Sequence, residues 1–180
     1  REQVAEYLKK LDQDERKILR DLGVKFGRYH VFLHKLIKPE AVSLRTLLWK
    51  NHHQKYYNLK IPAFGLNFLD DKNFQNKNFM LLCGFEKFNT FFVRIDILER
   101  LFIKIMNSKN NNEKKDEIKM VPEMINLLGC NKENFKRLLK MMNYKVTTRN
   151  DEVYFKYSPI RKMKKIFTKK TNRESPFVVL

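Results

Sequence analysis

The sequence predicts an α+β chain, mostly helical. A small N-terminal helical unit comes first, then a helix–turn–helix closed by a β-hairpin, then a basic tail. Three observations carry this. Apolar residues recur at helical spacing in several windows of the 180 residues. Two stretches, 144–148 and 153–157, alternate apolar with polar residues around a turn pair. Residues 158–180 hold seven basic residues and one acidic, Glu174, with little core-forming pattern. At 43% hydrophobic residues the chain can build a core, so wholesale disorder is not expected.

The elements follow in order. Val4, Leu8 and Leu11 mark one side of a short opening helix. Asp12 with Glu15 three residues later fits a capping box, and the helix it opens is expected to bury Ile18, Leu19 and Leu22 before Gly23. Tyr29, Val31 and Leu33 alternate in an extended piece between Val24 and Ile37, where Gly27 would supply a bend or a positive φ. Pro39 restarts a helix whose expected buried face is Ala41, Leu44, Leu47 and Leu48, with Trp49 beside it. These elements make a first unit, residues 1–50. Residues 51–78 are polar and Asn-rich, contain Pro62 and Gly65, and read as a linker or long loop.

A second unit spans 79–157. Met80 to Phe85 and Phe91 to Ile95 are short apolar runs that predict a hairpin. Asp96 with Glu99 fits another capping box, for a helix burying Ile97, Leu98, Leu101, Phe102 and Ile105. Ser108 to Lys119 reads as a charged loop. Pro122 then suits a helix start, Gly129 a helix end and Asn131 a cap for the next helix. In that helix Phe135, Leu138, Leu139 and Met142 fall at i, i+3, i+4 and i+7, which is one buried face. Tyr144, Val146 and Thr148 alternate, Asn150-Asp151 turns the chain, and Val153, Phe155 and Tyr157 return. No internal repeat is evident. The order hairpin, helix, helix, helix, hairpin is the outline of a winged helix, a unit that often presents a helix to nucleic acid.

The net charge is +18, from 38 Lys and Arg against 20 Asp and Glu, which favours a polyanionic partner. The candidate nucleic-acid-binding residues are Lys132, Lys136, Arg137 and Lys140 on the polar helix face, and Arg149 near the hairpin tip. Arg161, Lys162, Lys164 and Lys165 in the tail complete the set. The competing reading is a solvated face and a solvating tail. No Gly begins a G-K-[ST] sequence, so there is no P-loop and no expected catalytic residue. His30, His34, His52 and His53 have no Cys or carboxylate at a supporting spacing, so no metal site is expected. Cys83 and Cys130 read as reduced thiols of a cytosolic protein. No apolar run reaches membrane-spanning length. The start at Arg1 and the apolar end, Phe177 to Leu180, read as a piece of a longer protein.

Three groups of segments together carry a resemblance. The first is Gly-Val-Lys-Phe-Gly-Arg-Tyr-His-Val-Phe-Leu, Gly23 to Leu33, leading to Lys38-Pro39 and to Leu44–Trp49. The second is Val93 to Leu101, and the third is Met124 to Gly129 with the closing Ser175-Pro176-Phe177. The pattern resembles the C-terminal region of alphaproteobacterial superfamily-two, DExH-type helicases related to the mitochondrial RNA-degradosome helicase. It covers nearly the whole chain. His34 stands where that family would carry Pro, and 51–78 diverges. The resemblance implies an accessory module that grips or guides a single strand of RNA or DNA for an N-terminal motor. ATP and Mg would belong to that motor, and RNA catabolism in the cytoplasm to the parent enzyme, an NTP hydrolase. No cofactor, metal or membrane is expected for this chain itself. The alternatives are a winged-helix transcription regulator that binds duplex DNA and a module that docks another protein.

Overall fold

In the computed structural model, which describes residues 1–70, 76–110 and 117–158, short helices alternate with antiparallel hairpins. The first unit contains α1 (Ala5–Lys10), α2 (Gln13–Asp21), β1 (Val24–Phe26), β2 (Val31–Leu33) and α3 (Pro39–His52). Then come β3 (Phe68–Asp70), α4 (Lys77–Leu82), β4 (Phe85–Phe88), β5 (Phe91–Arg94) and α5 (Ile95–Asn110). The last group is β6 (Ile118–Lys119), α6 (Pro122–Leu128), α7 (Lys132–Met141), β7 (Tyr144–Arg149) and β8 (Glu152–Tyr157). Among the described residues three small sheets result, ordered β1-β2, β3-β5-β4 and β6-β8-β7, with antiparallel pairing throughout. The chain is therefore α+β.

Two apolar clusters hold these layers. The larger joins α5, α6 and α7 to the third sheet through Leu101, Ile105, Met124, Leu138, Leu139 and Phe155. The smaller joins α3 and α4 to the middle sheet through Val42, Phe79, Met80 and Phe92. The middle sheet lies between them. Its strand β5 sends Phe91 and Val93 into the larger cluster and Phe92 into the smaller, as period-2 alternation requires.

Several expectations need correction. Met80 to Leu82 is helix rather than strand. Asn76 caps α4 by accepting the Phe79 N–H at 2.9 Å, and a short apolar run suits either state. Residues 51–78 are not an unstructured linker in their described part. Leu59 and Ile61 pack on the smaller cluster, Pro62 is buried, and β3 pairs with β5. The Asn67 side chain also donates to the Leu127 carbonyl at 3.1 Å. Strand β6, inside the expected loop 108–119, pairs with β8.

Helix α3 turns its other face inward. Val42 and Thr46 are buried, while Leu44, Leu47 and Leu48 are more than half exposed. Thr46 can be buried because its hydroxyl donates to the Val42 carbonyl at 2.8 Å. Trp49 lies with them against Phe79. On α2, Ile18 and Leu22 are likewise exposed, at 59% and 65%. The capping box at Asp12 and Glu15 is present. The one expected at Asp96 and Glu99 is not, because α5 starts at Ile95 and both carboxylates are engaged elsewhere.

A helix, a left-handed residue and a hairpin recur three times, which the sequence pattern does not reveal. Leu22, Cys83 and Met142 each donate their N–H to the residue four earlier, at 3.0 Å in each case. Gly23, Gly84 and Asn143 follow with φ of 95°, 86° and 66°, donating to the residue three earlier. Hairpins β1–β2, β4–β5 and β7–β8 begin at the next residue. In the second and third occurrences a leading helix and a third strand complete the unit: α3 with β3, and α5 with β6.

Candidate nucleic-acid interface

Helix α7 has two faces. Phe135, Leu138 and Leu139 are fully buried, while Arg137 and Lys140 are exposed. Its start is set by Asn131, whose side chain accepts the Asn134 N–H at 2.7 Å. Gly129, at φ 67°, ends α6 in the left-handed conformation that suits glycine, and so sets the turn between the two helices.

The predicted cations separate by environment. Lys132 reaches the β7–β8 turn, donating to the Asp151 carbonyl at 2.9 Å, so it ties the helix to the hairpin tip. Lys136 is half-buried and paired with Glu133 at 2.9 Å, and its hydrogen bond holds the Glu133 carboxyl below its ordinary range. Arg149 pairs with Glu117 at 3.1 Å and lies over the Tyr154 ring. Among the described residues, Arg137 and Lys140 alone of the α7 cations show no ion pair and point to solvent. Arg161, Lys162, Lys164 and Lys165 lie outside the described residues. Lys145, exposed on edge strand β7, is a further cation absent from the predicted set. The alternation of Tyr144, Lys145 and Val146 would have revealed it.

Elsewhere one carboxylate ties the first hairpin to α5. Glu99, largely buried, accepts the N–H groups of Arg28, Tyr29 and His30 at 2.6–2.7 Å. A Cβ at Gly27 would collide with that carboxylate, so close approach, and not a positive φ, is why glycine stands there. His30 Nε2 meets Glu86 at 2.9 Å, while Nδ1 lies 3.4 Å from Glu99, close enough for charge attraction without a hydrogen bond. Burial works against ionisation of Glu99, but the adjacent His30 ring and the hydrogen bonds from the three backbone N–H groups outweigh it and lower its pKa. The His30 hydrogen bond lowers Glu86. Burial likewise opposes the charge on His30, yet two carboxylates raise its pKa overall. Arg28 and Tyr29 cover the Phe102 ring, and Arg1 donates to the Gly27 carbonyl at 2.6 Å. Sequence spacing gives no sign of this cluster, because the turn 28–30 lies 56 to 71 residues from the carboxylates it meets.

Among the described residues, no group of three metal-ligating side chains is assembled, and no helix is long and apolar enough to cross a membrane. Compared with protein-family models, curated proteins and solved structures, the chain finds no match.

Proposed function

We propose that this chain is a nucleic-acid-gripping accessory region of an ATP-dependent helicase, whose motor lies in another part of the parent protein. The observation that carries the reading is α7 itself, a helix seated by three buried side chains that presents Arg137 and Lys140 outward. Its setting supports the reading. The order α5, β6, α6, α7, β7, β8, with sheet order β6-β8-β7, is the arrangement we read as a winged helix, and α7 takes the place of the helix offered to nucleic acid. Lys132, held at the hairpin tip, fixes helix and wing as one surface. Exposed Lys and Arg on such a surface contact phosphates, which position a strand without reading its bases. The resemblance to DExH helicases supplies the parent and its RNA- or DNA-unwinding role. ATP and Mg belong to that motor.

Fluorescence anisotropy with labelled single strands and duplexes tests this. The reading expects binding to single strands with little sequence preference and steep loss with salt. A symmetric footprint on a particular duplex would instead mark a transcription regulator. The second reading, protein docking, is favoured by one observation, the exposed Leu44, Leu47 and Leu48 of α3. Absence of binding to any nucleic acid at low salt would leave that reading in place of the first.

A further inference from the structure

Between Glu40 and Asp70 the sequence has no acidic residue, although 20 of the 180 residues are acidic. The same stretch holds Arg45, Lys50, Lys55 and Lys60. Its part after α3 is held from beneath. Leu59 and Ile61 pack on the smaller cluster, and Pro62 is buried. Tyr56, Tyr57 and Leu59 donate their N–H groups to the carbonyls of His53, Gln54 and Tyr56 at 2.8–3.1 Å, which winds the chain tightly after the helix. With 59, 61 and 62 turned inward, the residues around them face solvent. Lys55 and Lys60 are exposed and enter no ion pair among the described residues. Tyr57 is 64% exposed and Phe64, in the next turn, 53%.

A stack of rings steadies this surface. Trp49 lies 4.5 Å from His53 and 5.3 Å from Tyr56, within 19° of parallel to each. Phe79 of α4 backs Trp49 at 5.6 Å, which ties the stack to the smaller cluster. The Lys55 ammonium sits 4.9 Å from the centre of the Tyr56 ring, whose face attracts a cation. Tyr57 follows directly on this frame. Its ring stands open beside a lysine that the neighbouring ring already places.

We propose that this surface is a second contact for the strand, built from other residues than α7. Bases of single-stranded RNA or DNA stack on Tyr57 and Phe64, while Lys55 and Lys60 meet the phosphates. The proposal rests on the reading of the chain as a strand-gripping module and adds a specificity to it. Rings interleaved with cations, and free of carboxylates, suit a flexible polyanion that carries flat apolar groups. Every base has a π-face, so stacking tolerates any sequence. Stacking on a protein ring needs a base that is free of its duplex neighbours. The phosphate contacts of α7 are open to a duplex as well, so Tyr57 and Phe64 are the residues that select single strands.

Trp49 is the only tryptophan in the chain and belongs to the ring stack, so its emission reports on this surface and not on α7. The test titrates oligouridylate and oligothymidylate of about 12 nucleotides into the full 180-residue chain. Trp49 emission and the anisotropy of a labelled strand are followed together. Both should change with one midpoint, in the wild type and in Arg137→Ala/Lys140→Ala. Tyr57→Ala/Phe64→Ala should weaken single-strand binding at least about tenfold and leave duplex binding within about twofold, with circular dichroism confirming the fold. Tyr57→Phe keeps the ring and should bind within about twofold of the wild type. Lys55→Ala/Lys60→Ala should make the log–log salt slope shallower by about 1.4. Unchanged single-strand affinity in Tyr57→Ala/Phe64→Ala overturns the proposal, and so does an equal loss for duplex. If only Arg137→Ala/Lys140→Ala weakens binding, the proposal falls and the α7 reading stands. If only Tyr57→Ala/Phe64→Ala does, the proposal stands and the role given to α7 falls. Absence of binding to any strand at low salt overturns both.

Discussion

Glu99 shows how one side chain can fasten two units. It receives three backbone N–H groups from the turn 28–30 and is almost out of solvent. Glu99→Gln removes the charge and turns an amide donor toward those groups. It should cost about 3 kcal/mol in urea unfolding. Gly27→Ala should cost a similar amount by displacing the carboxylate. The same cluster sets a pH dependence. His30 titrates above its ordinary value, so its contribution is full below about pH 6.5 and is lost as pH rises through its folded pKa. Glu86 and Glu99 titrate below theirs, so their contribution is full above about pH 4.5 and is lost as pH falls through their folded values. Urea stability should therefore peak between about pH 4.5 and 6.5. His30→Gln should remove the fall on the alkaline side, and an unchanged profile would show that His30 carries no charge there. In the sequence His30 stands without support, because its carboxylates come from β4 and α5, far along the chain.

At the scale of elements, most of the second unit is legible in the sequence. Capping and turn residues mark α6, α7 and the β7–β8 hairpin, and Asn150 and Asp151 both take positive φ as a two-residue hairpin turn requires. Helix α3 shows its faces reversed from the expectation. Its three leucines gather on one side, but helix periodicity cannot tell which apolar stripe finds a partner. Burial goes instead to the side holding Val42, Thr46 and Trp49, because Phe79 and Met80 of α4 lie there. Leu44→Ser and Leu47→Ser should therefore change stability by no more than about 0.5 kcal/mol, whereas Phe79→Ala should cost about 3–5 kcal/mol. Comparable losses at all three positions would mean that the leucine face is covered. Helix α4 and strands β3 and β6 escape sequence reading because they are short, and pairing rather than local pattern holds the strands in place.

For the whole molecule, the shared sheet matters most. Strand β5 feeds both apolar clusters, and β3 draws the stretch after α3 into that sheet. Limited proteolysis read by mass spectrometry should thus find bonds within 54–70 as resistant as those within 85–105. Early cutting inside 54–70 would restore the linker reading. The threefold recurrence is invisible in the sequence because only the turn chemistry is shared, with Gly, Gly and Asn at the left-handed position and different apolar residues around it. The basic face of α7 is legible as a set of residues. Only the structure separates Lys132 and Lys136, held by Asp151 and Glu133, from Arg137 and Lys140. The central claim is that these two grip a strand. The most direct measurement is the salt dependence of single-strand binding for wild type and for Arg137→Ala/Lys140→Ala, with circular dichroism confirming the fold. The variant should bind more weakly, and its log–log salt slope should be shallower by about 1.4, or about 0.7 for each phosphate that its side chains no longer neutralise. An unchanged affinity and slope would contradict the claim and leave α7 as a solvated face.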